Sequence, residues 1–157
     1  MLQVDLRDLR RGPVETDGVL PVEDPLLQGT GLELASPVTV SGVLDGTPER
    51  MTFTWKGRIQ AEVKGECRRC LADVVTTVDS TVEAIFTPDP DAADDPGVYL
   101  LEDPVTVVEV TPAVREELLL AAPAYVLCRE DCAGLCPRCG ADLNAGLCGC
   151  AASPEPS

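Results

Sequence analysis

The chain has 157 residues and a formal net charge of −15, and 45% of its residues are hydrophobic while only 3% are aromatic. This length allows one compact domain with an aliphatic core and excludes two full-sized domains. No apolar run is long enough to span a bilayer. The acidic surface repels phosphate, which disfavours a broad electrostatic nucleic-acid footprint.

The first residues, MLQVDLRDLRR, alternate charged and aliphatic side chains. A secretory signal has an uninterrupted apolar segment instead, so we expect a cytoplasmic protein. Thiols stay reduced in the cytosol, and a dense cysteine pattern there indicates metal or redox chemistry rather than disulfides.

Alternation of apolar and polar residues predicts several β-strands in the middle of the chain. Strands are expected over residues 38–44, 51–55, 59–64 and 74–86, the last as one long strand or as two with a bend. Asp45-Gly46 and Lys56-Gly57 are typical turn signals between these strands. Ile59, Ala61 and Val63 mark one face of their strand. An antiparallel meander or a small barrel is the economical fold for this order.

Residues 87–97 are rich in aspartate and proline, so we expect a solvated loop there rather than a calcium site. Two further strands are predicted over residues 98–101 and 105–110. Thr111 as N-cap, followed by Pro112 at the first helical position, predicts a helix to about residue 122 that ends before Pro123. The apolar stripe of this helix is expected to pack on the core and consists of Val114, Leu118 and Ala121.

The predicted fold class is therefore mainly β with a short helix (α+β), in which a meander or small barrel is followed by a cysteine-rich zinc-binding segment. Residues 1–125 are expected to form the mainly β domain, which carries the first C-x-x-C motif. Residues 126–150 are expected to form the zinc-binding segment, and residues 151–157 a disordered tail.

Six of the eight cysteines lie between Leu127 and Cys150, and the chain contains no histidine. A structural zinc ion usually takes four Cys or His ligands, and eight cysteines supply two such sets. The strongest zinc-knuckle signal is Cys136-Pro137-Arg138-Cys139-Gly140, because Pro presets a tight turn and Gly can adopt positive φ. Its natural partner is Cys148-Gly149-Cys150, if Gly149 bends the chain so that both thiols face one ion.

The pair Cys67 and Cys70 lacks the Pro and Gly of the other knuckle and has three interpretations. It ligates a second zinc ion together with Cys128 and Cys132, which would share one face if residues 124–132 were helical. Alternatively it is a redox dithiol, or it is not metallated. An alternating β/α pattern, typical of thioredoxin-like sites, is absent.

The order of these motifs resembles that of the YceD family, the bacterial large ribosomal RNA subunit accumulation proteins. The resemblance covers about residues 37–150 and is carried by ECRRCL, by LCREDCAGLCPRCGADLN and by the closing C-x-C. Relatives that lack the later cluster keep the early pair and a Cys or His near residues 128–132. The resemblance therefore implies one metal site of Cys67, Cys70, Cys128 and Cys132, and another of Cys136, Cys139, Cys148 and Cys150. Family members usually continue with a short basic stretch, where this chain has AASPEPS.

Four arginines lie inside the cysteine motifs: Arg68, Arg69, Arg129 and Arg138. They are candidate RNA contacts, and the alternative is that they only offset the negative charge of four-thiolate centres. An acidic body also suits a basic protein, because surfaces of opposite charge associate faster.

The resemblance implies a role in the accumulation, processing or assembly of large-subunit ribosomal RNA without a known catalytic activity. We therefore predict a non-enzymatic factor with two Zn²⁺ ions, whose partners are precursor large-subunit ribosomal RNA or particles, a basic ribosomal protein, or both. No membrane and no small-molecule substrate are expected. The alternative is a thiol-disulfide oxidoreductase or redox-sensing zinc protein that uses Cys67 and Cys70. A ribonuclease is disfavoured because general acid/base catalysis most often uses His.

Overall fold

A computed structural model of the chain describes residues 2–152. The chain forms two compact units. The first unit contains the residues up to Val63 and those from Thr77 to Ala122, and the second contains residues 64–76 and the chain from Pro123 onward. The predicted tail beyond Ala152 lies outside the described residues. Neither α-helix among the described residues is long and apolar enough to cross a membrane.

The fold is mainly β with one helix of more than a single turn, which confirms the predicted fold class. The described elements are, in chain order, β1 (Gln3–Asp5), α1 (Leu6–Leu9), β2 (Val14–Glu15), β3 (Gly18–Leu20), β4 (Glu33–Leu34), β5 (Val38–Thr47), β6 (Thr52–Glu66), β7 (Asp73–Thr87), β8 (Val98–Leu100), β9 (Val107–Glu109) and α2 (Thr111–Ala121). Short 3₁₀ turns lie at Pro25–Leu27, Pro90–Ala92 and Gly149–Ala152.

Within residues 2–152, the main sheet has the order β2-β5-β6-β7-β8, with β3 also paired to β5 and β4 to β6. Strands β5 and β6 are antiparallel, whereas β8 joins β7 in parallel. Strands β6 and β7 are also antiparallel. Arg58 pairs with Asp79, whereas Lys56, which precedes Arg58, pairs with Glu83, which follows Asp79. The sheet stays open, so of the two predicted arrangements the chain adopts the meander. Strands β1 and β9 form a separate antiparallel pair.

The core of the first unit lies between the sheet and α2 and is built mostly from aliphatic side chains. Ile59, Ala61 and Val63 are buried along β6, which confirms their predicted face. In α2, Val114 and Leu118 are buried, so the predicted stripe packs on the core. Burying each such side chain contributes about 1.5–3 kcal/mol, and this unit buries many of them in one cluster.

The predicted turn at Lys56-Gly57 is wrong, because both residues lie in the middle of β6. A Cβ atom at Gly57 would overlap the indole ring of Trp55, and one at the cross-strand residue Gly42 would also be too close to it. The two glycines therefore leave space for the buried indole. The Trp55 Nε1–H donates a hydrogen bond of 2.7 Å to the buried Thr16 Oγ1.

The predicted turn at Asp45-Gly46 is also wrong, because β5 continues to Thr47 and pairs with the start of β6. The chain reverses at residues 48–51 instead. Gly46 has φ +154°, and a Cβ there would overlap the Thr52 carbonyl oxygen. The conformational freedom that makes Asp-Gly a turn signal is used here for a close approach between strands.

The predicted N-cap of α2 is wrong by one residue, because Thr111 is already helical and Val110 is the N-cap. The Thr111 hydroxyl donates to Glu109 Oε1 at 2.7 Å and therefore does not cap a backbone N–H. Residues 74–86 lie in one strand, β7, as the first of the two alternatives predicted.

Candidate metal centres

The eight cysteines of the chain come together in two groups of four, and each group lies within the second unit. The first centre consists of Cys67, Cys70, Cys128 and Cys132, and the second centre consists of Cys136, Cys139, Cys148 and Cys150. Within each centre the sulfur atoms all lie within 4.8 Å of one another. This is the grouping that the family resemblance implied, and all eight thiols are free.

The sulfur distances in the first centre fit a tetrahedral metal ion. Cys67 Sγ lies 3.7 Å from Cys132 Sγ, and Cys70 Sγ lies 3.6 Å from Cys128 Sγ. Zinc–sulfur bonds of about 2.3 Å in a tetrahedron place the sulfurs about 3.8 Å apart, whereas a disulfide requires about 2.05 Å. The four-thiol sets are therefore compatible with zinc.

The two C-x-x-C motifs form the same backbone turn. In the first, the Leu71 N–H donates to the Cys67 carbonyl at 2.9 Å, and the Cys67 N–H donates to Ala72 at 2.8 Å. In the second, the Gly140 N–H donates to the Cys136 carbonyl at 2.9 Å, and the Cys136 N–H donates to the Ala141 carbonyl at 2.8 Å. The early motif is thus a knuckle of the same kind as the late one, although it lacks the Pro and Gly that mark the late one.

Both turns need a residue with positive φ directly after the second cysteine. Gly140 fills this position with φ +74°, as the sequence predicted, whereas Leu71 fills it with φ +61°. A left-handed backbone costs a residue with a side chain about 1–2 kcal/mol. The sequence offers no signal for this feature of Leu71, because leucine is not a typical positive-φ residue.

Backbone N–H groups point at the first sulfur of each knuckle. The N–H groups of Cys70, Cys128 and Arg69 lower the pKa of Cys67 to about 6. The N–H groups of Cys139 and Arg138 lower the pKa of Cys136 to about 6 as well. Hydrogen bonds to the ionised form favour the thiolate, which is the form that binds metal.

Residues 124–132 are not helical, so Cys128 and Cys132 do not meet through a shared helical face. Val126 instead forms a parallel β-bridge with Cys67, and its carbonyl accepts the Arg68 N–H at 2.9 Å. The backbone of this segment is therefore hydrogen-bonded to the first knuckle and not within a helix. A Cβ at Gly65 would lie only 3.2 Å from the Val126 side chain, so glycine permits this close approach. A short turn follows, in which the Cys132 N–H donates to the Arg129 carbonyl at 3.2 Å. This turn places Cys132 beside the other three cysteines of the first centre.

The closing pair of the second centre reaches its place through the 3₁₀ turn Gly149–Ala152. Gly149 does not have the left-handed φ of Gly140 or Gly146. The bend that lets Cys148 and Cys150 share one group is therefore helical, and it does not use the special freedom of glycine.

The second unit has no apolar core of its own. Among its described residues, the only side chains of the hydrophobic class that are buried belong to three cysteines, Cys67, Cys132 and Cys136. Tyr125 and Leu71 are exposed to 70% and 58%. The unit therefore depends on its thiols for a structural centre.

Two of the four candidate arginines bond to groups that support the first centre, one to a backbone carbonyl and one to a side chain. Arg69 donates to the Cys132 carbonyl at 3.0 Å, and Arg129 donates to Asn144 Oδ1 at 2.6 Å. Arg68 lies over the Tyr125 ring, 4.1 Å from its centroid. The Arg138 side chain is exposed and has no hydrogen bond or ion pair within residues 2–152. Only Arg68 and Arg138 are thus directed away from the supporting network.

Asn144 is a site residue that the sequence reasoning did not identify. Its side-chain amide donates to Cys132 Sγ at 3.3 Å, although Asn144 lies between two ligands of the second centre. The signal available in the sequence is that this is the only Asn in the chain and that it lies inside a ligand spacer.

Charge is divided unevenly between the two units. The second unit contains five of the 12 Lys and Arg residues and six of the 27 Asp and Glu residues. By subtraction, the first unit contains seven basic and 21 acidic residues, so it carries nearly all of the net charge. The unit with the metal centres is close to neutral before the thiols ionise.

The fold and the site define a small mainly β protein with two four-cysteine centres suited to a metal ion. The family model described as large ribosomal RNA subunit accumulation protein YceD matches residues 55–157, which include all eight cysteines. The chain belongs to this family, as its resemblance predicted.

The curated relatives carry no functional description. The uncharacterized protein YlbN of Bacillus subtilis is 28% identical over 139 residues, which cover 87% of this chain and 78% of YlbN. The uncharacterized proteins Rv2926c of Mycobacterium tuberculosis and Mb2951c of Mycobacterium bovis are each 37% identical over 92 residues, which cover 55% of this chain and 43% of theirs. No solved structure matches the chain.

The paired knuckles predict different effects of two substitutions at the positive-φ position. Gly140→Ala should weaken metal retention by the second centre by about 1 kcal/mol, because a Cβ there has space but the backbone is strained. Leu71→Gly should leave metal retention by the first centre unchanged or strengthen it, because it removes the strain. Titration of the metal-loaded protein with a chelator measures both effects.

Gly149→Ala is the matched control, since this glycine is also unobstructed but has no left-handed backbone. It should change metal retention by less than about 0.5 kcal/mol. Equal losses in Gly140→Ala and Gly149→Ala, or a loss in Leu71→Gly, would contradict the proposed equivalence of the two turns.

Proposed function

We propose that this protein is a non-enzymatic zinc-binding factor that acts in the cytoplasm and supports the accumulation of large-subunit ribosomal RNA. The observation that carries this proposal is the match to the YceD family over a segment that contains both four-cysteine centres. The family description supports the process, which is accumulation of large-subunit ribosomal RNA. The geometry of the site supports a metal-binding factor in that process.

The ligand sets favour a structural role over catalysis. Four thiolates that share one zinc ion fill its tetrahedral coordination, which leaves no open position for water or substrate. Four-sulfur tetrahedral sites suit zinc or iron. We propose zinc, because it is the usual ion of structural four-cysteine sites and the centres serve a unit without an apolar core. Zinc has no redox chemistry and contributes folding free energy directly.

The second unit is the part of the chain best suited to contact RNA. Tyr125 is largely exposed, and the Arg68 guanidinium stacks on its ring. Exposed aromatic and arginine planes bind unpaired bases by stacking, with little need for a broad basic surface. The strongly acidic first unit fits a basic ribosomal protein of the same particle, because opposite charges accelerate association.

A redox function for Cys67 and Cys70 is supported by one observation, the lowered pKa of Cys67. However, Cys67 is fully buried, and its sulfur lies in a group with Cys70, Cys128 and Cys132. A reactive cysteine is usually accessible to its substrate. The arrangement therefore supports metal binding more strongly than disulfide exchange.

Depletion of the protein should lower the ratio of large-subunit to small-subunit ribosomal RNA, because the large-subunit RNA would lack a factor needed for its accumulation. Northern blots or RNA electrophoresis measure this ratio. Wild-type protein should restore it, whereas Cys67→Ser with Cys132→Ser should not. Thr39→Ser, at an exposed site in β5, is the control and should restore the ratio at equal protein abundance. An unchanged ratio after depletion would contradict the proposal.

Removing the two outward arginines should weaken RNA binding without releasing metal. For Arg68→Gln with Arg138→Gln, we expect the slope of log affinity against log salt to decrease by about 1.4, as for two lost phosphate contacts on single-stranded RNA. Fluorescence anisotropy with a transcript of large-subunit ribosomal RNA measures this slope.

Arg10→Gln with Arg11→Gln is the matched control, because it changes the charge equally at exposed residues of the first unit. The control should leave the slope unchanged. If both double variants bind RNA as the wild type does, the arginines only offset thiolate charge, and the contact to the particle is made through protein.

A further inference from the structure

Asn144 lies where the two metal centres meet. It belongs to the spacer of eight residues between Cys139 and Cys148, which are both ligands of the second centre. Its Nδ2 donates to the sulfur of Cys132, a buried ligand of the first centre, at 3.3 Å. A loop that is closed by one centre therefore supplies a hydrogen-bond donor to the other.

The orientation of this amide is fixed by two donors on its other side. Asn144 Oδ1 accepts from Arg129 Nη2 at 2.6 Å and from the Ala133 N–H at 2.9 Å. A flipped amide would point its NH₂ group at both donors and its oxygen at the sulfur, so the hydrogen-bond network selects one orientation. Arg129 therefore orients the Asn144 amide toward Cys132.

The backbone of the spacer is held in a compact loop. The Asn144 N–H donates to Asp142 Oδ1 at 2.9 Å, and the Leu143 N–H donates to the Gly134 carbonyl at 2.9 Å. The ends of this loop are the cysteine pairs of the second centre. Without an ion between those pairs, the loop loses the closure that keeps Asn144 in place.

We propose that Asn144 is a positioning residue that couples the two metal centres. The ion in the second centre orders the spacer, and the ordered spacer holds the Asn144 amide on the Cys132 thiolate, which strengthens metal binding in the first centre. Outer-shell hydrogen bonds of this kind typically change metal affinity by about 10–100-fold. The coupling is reciprocal, because a linked pair of binding equilibria must affect each other equally. This inference rests on the metal-binding part of the proposed function and does not depend on its ribosomal part.

The coupling also gives an order of assembly. The ligands of the second centre lie within 15 residues of the chain, whereas Cys67 and Cys132 are 65 residues apart. Closing a shorter loop costs less entropy. The second centre therefore fills first and prepares the loop that stabilises the first centre.

The test compares how fast zinc is released from each of the two centres of the zinc-loaded protein. The protein is challenged with EDTA in the presence of N-ethylmaleimide, and peptide mass spectrometry reports when each cysteine becomes labelled. Asn144→Asp keeps the acceptor oxygen and the size of the side chain but replaces the donor with a charged oxygen. We expect Cys67 and Cys132 to become labelled about 10–100-fold faster. Cys136 and Cys139 should be nearly unchanged, because the second centre empties after the first, when the coupling has already been lost.

Ala145→Asp is the matched control, because it adds the same charge at an exposed neighbouring residue that does not contact the sulfur. It should not accelerate labelling of either centre. If Asn144→Asp accelerates both centres equally, or neither, or if the control has the same effect as Asn144→Asp, the proposal is wrong.

A second variant tests the direction of the coupling. Cys148→Ser with Cys150→Ser removes the second centre and should accelerate labelling of Cys67 and Cys132 as much as Asn144→Asp does. Adding Asn144→Asp to it should then have no further effect, because both changes remove the same interaction. An unchanged rate at Cys67 and Cys132, or full additivity, would overturn the coupling.

The unaltered protein provides a readout that does not depend on how a variant folds. When the protein is loaded with NMR-active cadmium, the Asn144 side-chain amide proton should show scalar coupling to the cadmium of the first centre and not of the second. Absence of this coupling would contradict the proposal. A protein that binds no metal would overturn both the zinc function and this inference, whereas a loaded protein with independent centres would overturn only the inference.

Discussion

Repulsion between closely spaced thiolates is the constraint on which the second unit depends. Four sulfur atoms within 4.8 Å of one another cannot all ionise without a cation between them. The pKa values of the thiols in one group differ widely. Backbone N–H groups lower the pKa of Cys67 to about 6, whereas loss of solvation and the neighbouring thiols raise the pKa of Cys128 to about 12. A divalent cation removes the conflict and turns the repulsion into four bonds. Two remote segments of the chain can then converge.

The two units therefore owe their stability to different physics. The first unit buries a continuous aliphatic core between sheet and helix, with Trp55 accommodated over two glycines. The second has no buried aliphatic or aromatic side chain among its described residues, and it contains instead two four-cysteine groups that could each hold a metal ion. Short segments without a core usually need a metal or disulfides to fold. Tyr125, Arg68 and Leu71 remain exposed, because the second unit has no apolar interior in which they could be buried.

Local patterns in the sequence predicted the features that local physics controls. Alternation located β5, β6 and β7, and CPRCG located the second knuckle, because strand pleat and tight turns leave periodic or compositional signals. Features that depend on distant residues were not predictable in this way. Lys56-Gly57 resembles a turn signal, but Gly57 and its cross-strand neighbour Gly42 together leave space for the indole of Trp55, and this pairing across strands is not visible in a local pattern. The strands before residue 35 are two or three residues long, too short for a periodic signal.

The same distinction holds in the site. The composition gave the ligands, and the resemblance to the YceD family gave their grouping, but neither gave the outer contacts. Leu71 adopts a backbone conformation that its side chain disfavours, and Asn144 contacts a sulfur 12 residues away in the chain. The spacing of Cys128 and Cys132 is compatible with a helix, whereas hydrogen bonds to the first knuckle favour an extended path for this segment. Elemental analysis of the purified protein, with a thiol titration before and after chelation, tests the central claim most directly. Two zinc ions per chain and no reactive thiol until the chelator is added are the predicted result. A folded protein that holds iron or no metal, or whose cysteines are bridged or freely reactive, would contradict it.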